Sequence, residues 1–247
     1  MQRTGSLRTL REETLENYIS SSVGPHRHLR EADFLAFQRA YLYHLRGWLP
    51  LTQGQKWLDL GCGQGALMRL ALSYGYEKVY GIDVSEEMLV ACQSYGLNVE
   101  CADVWHWLAG TADKQWNIVS AFDLLEHFPK EEGYRLLREI WRILAPYGVC
   151  LVKLPNAASP WGLGVTAADL THEACYSPES LSQLAKLAGF SSCELREVGP
   201  FPGSTKAKLR HWLWAGVRRF YQALNVIETG SAGSRIYTRV MLGRLIK

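Results

Sequence analysis

The stretch Trp57-Leu58-Asp59-Leu60-Gly61-Cys62-Gly63-Gln64-Gly65, with Asp83 closing the later run Val79-Tyr80-Gly81-Ile82-Asp83, decides how this chain folds. An apolar strand that runs into closely spaced glycines can bend sharply and bring its backbone close to a ligand. A Cβ at those places would strain the bend or fill the space. A helix starting at the glycines aims its free N–H groups and the positive end of its dipole at that ligand. A carboxylate at the tip of the following strand, Asp83, stands where a ribose presents two hydroxyls and can accept both hydrogen bonds. Together these residues describe a pocket for a nucleoside cofactor.

Two families use such a pocket. Gly61, Gly63 and Ala66 fit the dinucleotide pattern G-x-G-x-x-G/A. The sequence Asp59, Gly61, Gly63, Gly65, an acidic residue followed by G-x-G-x-G, resembles more closely the first motif of the class I S-adenosylmethionine-dependent methyltransferases. The resemblance continues in order. Gly81-Ile82-Asp83-Val84-Ser85 is similar to the second motif, and Glu100-Cys101-Ala102-Asp103-Val104 to the third. Trp116 to Phe128 is similar to the fourth strand and its turn, and Ile140 to Val149 to the helix and turn before strand five. Ala145-Pro146-Tyr147-Gly148 stands where the family usually has Lys-Pro-Gly-Gly, a departure in a turn and not in the pocket. Charge points the same way. A dinucleotide brings a pyrophosphate to the helix N-terminus. Asp59 would repel it and would attract the ammonium of S-adenosylmethionine.

The resemblance implies an α/β fold. It is a Rossmann-like, seven-stranded, mostly parallel sheet with an antiparallel last strand, carrying helical cap insertions. It implies S-adenosyl-L-methionine as cofactor and S-adenosyl-L-homocysteine as product. The implied cofactor contacts are Asp59, Gly61, Cys62, Gly63, Gly65, Asp83, Val84, Met88, Asp103, Val104 and Phe122. Asp83 would sit on the ribose, and the acidic residue of the third motif on the adenine amino group. In related enzymes the segment before strand one closes over the cofactor, and among Arg27, His28, Arg30 and Arg39 the choice for its carboxylate is Arg39. The alternative for Arg39 is a solvated charge on the outer face.

Hydrophobic residues make up 47% of the 247, ample for a core. Six cysteines are scattered, at positions 62, 92, 101, 150, 175 and 193, with no C-x-x-C pair. That disfavours a zinc cluster and a disulfide framework and suits reduced thiols in the cytoplasm. No apolar run approaches the ~20 residues of a spanning helix, and Met1 to Glu13 is unlike a signal peptide. The net charge of +3 hides an asymmetry. Residues 206–247 hold nine Lys or Arg against one acid, Glu228, while the remainder holds 18 basic and 23 acidic side chains.

Periodicity then places the elements. Phe34, Phe37, Tyr41, Leu45 and Trp48 lie at helical spacing within an N-terminal helical segment, 1–49, that Pro50 ends. The methyltransferase domain takes 50–247. Strands are expected at about 56–60, 78–82, 97–101, 117–122, 148–154, 190–198 and 235–246. Helices alternate with them, so the sheet is parallel and covered on both faces. Ser85 and Ser177-Pro178 read as helix starts, Gly96 and Gly189 as helix ends. The Pro-, Gly- and Ala-rich run 155–177 leaves the ligand-binding edge of strand five and reads as a substrate loop. An insertion follows at 200–233, with Leu209, Trp212, Leu213, Val217, Phe220 and Leu224 as one helical stripe.

Methyl transfer from a sulfonium asks the protein for alignment and, for a hydroxyl acceptor, a place for the proton. His127, in Asp123-Leu124-Leu125-Glu126-His127-Phe128-Pro129, leaves strand four at the acceptor edge; it either takes the proton or fixes the turn. His172, in Asp169-Leu170-Thr171-His172-Glu173, is the second candidate, with a backbone-bonded loop histidine as the alternative. Glu126 reads as a loop anchor. Asp123, Asp169 and Glu173 show no ligand spacing, so no metal is expected. Nucleic-acid base methylation is disfavoured, because Asp123-Leu124-Leu125-Glu126 replaces the Asn/Asp-Pro-Pro-aromatic run of such enzymes.

The cations and rings of 206–221 admit three readings: a cap helix packing its stripe on the core, docking on an anionic membrane surface, or a pocket for an anionic acceptor. The substrate loop and the run Ile227 to Arg239 resemble methyltransferases of bacterial polysaccharide pathways. The expected function is therefore methylation of a hydroxyl on a sugar, glycan-type or other small acceptor, in the cytoplasm or at the inner face of its membrane. An aromatic or quinone-precursor O-methyltransferase is the rival. A cofactor-binding partner without activity and a nicotinamide dehydrogenase are further alternatives.

Overall fold

The computed structural model describes residues 13–14, 30–50 and 54–247; Arg27, His28 and most of the 1–30 segment lie outside the described residues. The first strand, β1 (Lys56–Leu60), pairs in parallel with β2 (Lys78–Asp83) on one side and β4 (Trp116–Phe122) on the other. The chain adds β3 (Val99–Cys101), β5 (Leu144–Pro155), β6 (Ser192–Glu197) and β7 (Val240–Ile246). The sheet order is β3-β2-β1-β4-β5-β7-β6. β7 lies between β5 and β6 and is antiparallel to both. Every other pairing is parallel, so the sheet has the expected seven strands and the expected antiparallel last strand.

The helices are α1 (Glu31–His44), α2 (Ala66–Tyr74), α3 (Glu86–Ser94), α4 (Val104–Ala109), α5 (Lys130–Ile143), α6 (Gly162–Thr166), α7 (Pro178–Ala188) and α8 (Thr205–Thr229). Alternating strand positions face opposite sides, and each side has its own core. Leu58, Leu60, Val119 and Val152 meet Leu136, Leu137 and Ile140 of α5 and Leu181 and Ala185 of α7. Trp57, Ile118 and Leu151 meet Tyr41 of α1, Leu67, Met68 and Leu70 of α2 and Leu89 of α3.

Local chemistry sets the helix ends. Ser85 accepts from Met88 N–H at the start of α3, with Glu86 and Glu87 in its first turn, and Gly96 follows its end at φ +65°. Ser177 and Ser180 form a capping box with Pro178 at the first helical position of α7, and Gly189 closes that helix at φ +106°. Gly61, Gly63 and Gly65, at φ +66°, +52° and +74°, carry the bend from β1 into α2. Tyr147 adopts φ +61° in the turn within β5, where the family's glycine would be relaxed.

Three expectations are corrected. α1 stops at His44, not near Trp48. Gly47 turns the chain at φ +70°, and Trp48 is buried against the sheet edge, its indole N–H donating to Glu194 Oε2 at 3.1 Å under the Arg196 guanidinium. The last strand starts at Val240, not at 235, because the carbonyls of Ile236 and Thr238 accept from buried Asn156 Nδ2 (3.0 Å each) instead of joining the ladder. The third correction is the stripe of α8. Leu209 (62% exposed), Trp212 (78%), Leu213 (62%) and Phe220 (60%) face solvent. The face turned to the protein is polar and aromatic. Trp214 Nε1 and Arg218 both donate to Glu197 Oε2 at 3.2 Å, Trp214 packs on Trp161, and Tyr221 stacks on Tyr237.

The bend supplies a test. A Cβ at Gly65 would lie 2.3 Å from Leu97 Cδ1 and 2.9 Å from Cys92 Sγ, whereas at Gly63 it would meet nothing within 4 Å. Gly63→Ala should cost about 1–2 kcal/mol of left-handed strain alone. Gly65→Ala should cost about 2–5 kcal/mol, because overpacking is added to strain. Urea denaturation of both variants reads the difference, and equal losses would refute the packing account.

Candidate active site

The carboxyl ends of β1, β2, β3 and β4 open into a cavity of about 1000 Å³. That matches the upper range of small-ligand sites, and its position matches the ligand edge of open α/β sheets. Its walls include Asp59, Gly61, Cys62, Gly63, Asp83, Val84, Met88, Asp103, Val104 and Phe122. Gly65 is not on the wall; it lets α2 start close to Leu97 and Cys92. Phe37, Trp105, Phe128 and Lys153 also line it and were not among the expected contacts. Lys153 left a trace in the sequence, as the one charge in the apolar run Val149 to Leu154. It is ion-paired to Asp123, itself at φ +50°.

Two of the three carboxylates are held by backbone. Asp83 Oδ2 accepts from Gly63 N–H at 2.8 Å and Oδ1 from Ser85 N–H at 2.9 Å. Asp103 caps α4, its Oδ1 accepting from Trp105 and His106 N–H at 2.9 and 3.1 Å. Asp59 is 2% exposed, and its Oδ1 accepts from Ser120 Oγ at 2.6 Å. Burial lifts Asp59 to about 7; the Ser120 bond opposes this and the Asp83 charge adds to it. A cation near Asp59 would restore its charge.

Arg39 is exposed and is not among the residues lining the cavity, so the structure does not bring it to the cofactor; α1 contributes Phe37. The turn after β4, Leu125–His127, is a single 3₁₀ turn that places His127 on the wall. His172 is not in the lining but lies beside His127, ring centroids 4.9 Å apart. The Glu126 carbonyl accepts from the N–H groups of Glu173 and Ala174, at 2.8 and 3.1 Å, and so ties the loop 155–177 to this turn. Glu126 is thus the loop anchor its position suggested, through its backbone. Its side chain is 1% exposed, and Oε2 finds no hydrogen-bond partner among the described residues.

Hydrogen bonds select the histidine tautomers. Thr171 Oγ1 donates to Asp169 Oδ1 at 2.6 Å, so its 2.7 Å contact with His127 Nδ1 leaves the ring as donor. His172 Nδ1 lies 2.8 Å from the Thr166 carbonyl, which only accepts. Each ring therefore carries a hydrogen on Nδ1. Burial, with His172 adding to it, moves His127 below the usual histidine range, so it is neutral near pH 7.

The comparisons agree with this geometry. A family model described as "Methyltransferase domain" matches residues 29–195. A ubiquinone biosynthesis O-methyltransferase of Psychrobacter arcticus is 31% identical over 110 residues, covering 42% of this chain and 42% of that relative. The match thus spans less than half the curated relative's length. A SAM-dependent methyltransferase from Archaeoglobus fulgidus superposes with TM-score 0.63 at 20% identity, over 85% of this chain and 94% of that one. The phosphoethanolamine N-methyltransferase 2 of Haemonchus contortus, crystallised with S-adenosyl-L-methionine, superposes with TM-score 0.59 at 16% identity, over 94% and 60%.

Asp59 gives a pH test. Its folded value of about 7 exceeds the ~3.9 of an unfolded carboxyl, so the native state binds the proton more tightly. The contribution of Asp59 to stability without cofactor should therefore fall as pH rises from about 4 to 7, by about 1.4 kcal/mol for each pH step of one in that window. Asp59→Asn should flatten that slope in urea titrations at pH 5 and 7.5; parallel slopes in both proteins would sink the assignment. With the cavity, the glycine bend and the family match in hand, the chain belongs to the methyltransferase domain family and has the fold of solved S-adenosylmethionine-dependent methyltransferases.

Proposed function

We propose that the chain methylates a hydroxyl oxygen of a small acceptor, with a sugar or glycan-type alcohol as the leading class. The observation that carries this reading is the pair of adjoining histidines at the cavity wall, His127 on it and His172 beside it, each with Nδ1 held by a loop group. A nitrogen acceptor arrives with its own lone pair; a hydroxyl must lose a proton, and this pair gives the site something to act on it. When bound, S-adenosylmethionine supplies a methyl group activated on a sulfonium. The bond formed joins the acceptor oxygen to the methyl carbon. The bond broken joins that carbon to sulfur, which keeps the electron pair. The hydroxyl proton passes to water, and nothing is oxidised or reduced.

The chain's own residues supply placement. The glycine bend and Asp83 seat the nucleoside, Asp59 receives the ammonium, and Phe122, Leu124 and Phe128 exclude water around the reacting atoms. Such alignment contributes up to roughly 7–11 kcal/mol of the barrier. The rings of Trp161, Trp214, Tyr221 and Tyr237 join the substrate loop to α8 and suit sugar faces. The name of the Psychrobacter arcticus relative supports the second reading, an aromatic or quinone-precursor hydroxyl. Labelled cofactor turned over against sugar and phenolic panels separates the two. His127→Ala and His172→Ala should each lower turnover at least tenfold while leaving the affinity for S-adenosylhomocysteine in calorimetry unchanged. Full turnover in both variants would remove the proton role.

The outward face of α8 supports a peripheral contact with an anionic membrane. Trp212, Leu213 and Phe220 stand exposed beside Lys206, Lys208, Arg210 and Arg219. Each such cation contributes about 1 kcal/mol at an anionic surface, and Trp favours the interface. Arg218 is excluded from this face because it pairs with Glu197. The protein should pellet with phosphatidylserine vesicles at low salt, and charge reversal of Lys208, Arg210 and Arg219 should release it. No pelleting of the unaltered protein would end this reading.

A further inference from the structure

Residues 45 positions apart in the chain meet at the cavity wall, where His127 lines the cavity and Glu126 and His172 stand behind it. Glu126, His127 and His172 each offer a ligand atom, and the three atoms lie within 4.8 Å of one another. No H-x-x-x-D or similar spacing announces this, which is why the sequence carried no expectation of a metal. The group is electronically unusual. Both imidazoles hold a hydrogen on Nδ1, spent on the Thr171 hydroxyl and the Thr166 carbonyl, so Nε2 is the nitrogen each has left for a ligand. The Glu126 carboxyl, 1% exposed, brings oxygens, of which Oε2 has no hydrogen-bond partner among the described residues. An unpartnered carboxyl oxygen thus stands in a cluster of three possible ligand atoms, in a place where an unpartnered polar group is costly. A cation resolves the arrangement.

We infer that Glu126, His127 and His172 form a binding site for a divalent transition-metal ion beside the methyl-transfer cavity. Imidazole and carboxylate donors in this ratio select zinc, iron, manganese or cobalt over magnesium or calcium. Three protein ligands leave a coordination position open, as catalytic metal sites do. The surroundings are those of a metal site. The Nδ1 hydrogens of its histidines are fixed by loop oxygens, and the chain His127–Thr171–Asp169 ends on a carboxylate. The flanking charges are Asp123, Asp169, Glu173 and the cation Lys153, which is already paired to Asp123. The role of the ion rests on the hydroxyl-acceptor reading. It polarises the acceptor hydroxyl and lowers the cost of losing the proton to water, so the two histidines act on that proton through the ion and not by taking it. The competing occupant is a proton on Glu126, donated to a histidine.

The full chain, stripped by a chelator and dialysed, should bind one equivalent of Co²⁺ with visible d–d absorption, and Zn²⁺ should displace it. His172→Ala, at a half-exposed position, and the isosteric Glu126→Gln should each weaken Co²⁺ binding by about 100-fold or more, while S-adenosylhomocysteine affinity stays unchanged and reports the fold. Thr171→Val, which removes only a supporting bond, should weaken it by roughly 10–100-fold. Absence of saturable Co²⁺ and Zn²⁺ binding, or binding that these substitutions leave untouched, overturns the site in favour of the shared proton. Hydroxyl methylation at full rate by metal-free protein overturns the ion's catalytic role and leaves the acceptor reading standing. Metal bound at this site with no hydroxyl in the acceptor panel methylated overturns the acceptor reading and leaves the site standing.

Discussion

One carboxylate joins the tips of two strands. Asp83, at the end of β2, accepts from Gly63 in the bend after β1 and from Ser85 at the start of α3. Those two N–H groups belong to the turns that shape the cofactor cavity, so their relative position is set by a single side chain. Burial raises the Asp83 pKa, and the backbone bonds from Ser85, Gly63 and Val84 oppose that rise. The bend itself depends on what lies behind it. Leu97 and Cys92 fill the space a Cβ at Gly65 would need, and Met68 and Cys62 do the same at Gly81. The cavity is therefore shaped in part by Met68, Cys92 and Leu97, none of which lines it.

The acceptor side is built differently. There the turn after β4 and the loop 155–177 meet through the Glu126 carbonyl, and the loop is fastened at its base by Asn156, fully buried and bonded to Ile236 and Thr238. Ser159 adds a bond to the Tyr237 carbonyl. Polar bonds to backbone hold this half together, where apolar packing holds the cofactor half. Its chemistry can change by substitution in the loop while the anchors stay, in keeping with a fold whose members differ mainly in what they methylate.

Legibility followed sequence distance. The glycine bend, Asp83, Asp103 and the caps of α3 and α7 are short-range patterns whose physics is complete within a few residues, and each could be read directly. The meeting of Glu126 and His127 with His172 requires knowing how a 45-residue excursion returns, which no local pattern encodes. α8 failed for another reason. Periodicity finds an apolar stripe but not what covers it, and here Glu197 recruits the Trp214 and Arg218 face while the stripe faces outward. Arg39 was placed by analogy with a leading segment, and its helix turns Phe37 to the cavity.

The place of β7 has a bearing on biosynthesis. Because it threads between β5 and β6, β6 has no neighbour in the sheet until residues 240–246 have been made. On the ribosome, the edges of β5 and β6 stay open while the 42 residues between β6 and β7, including α8, are translated. At about 5–20 residues per second that is a delay of seconds, long enough for an unpaired edge to engage a chaperone or another nascent chain.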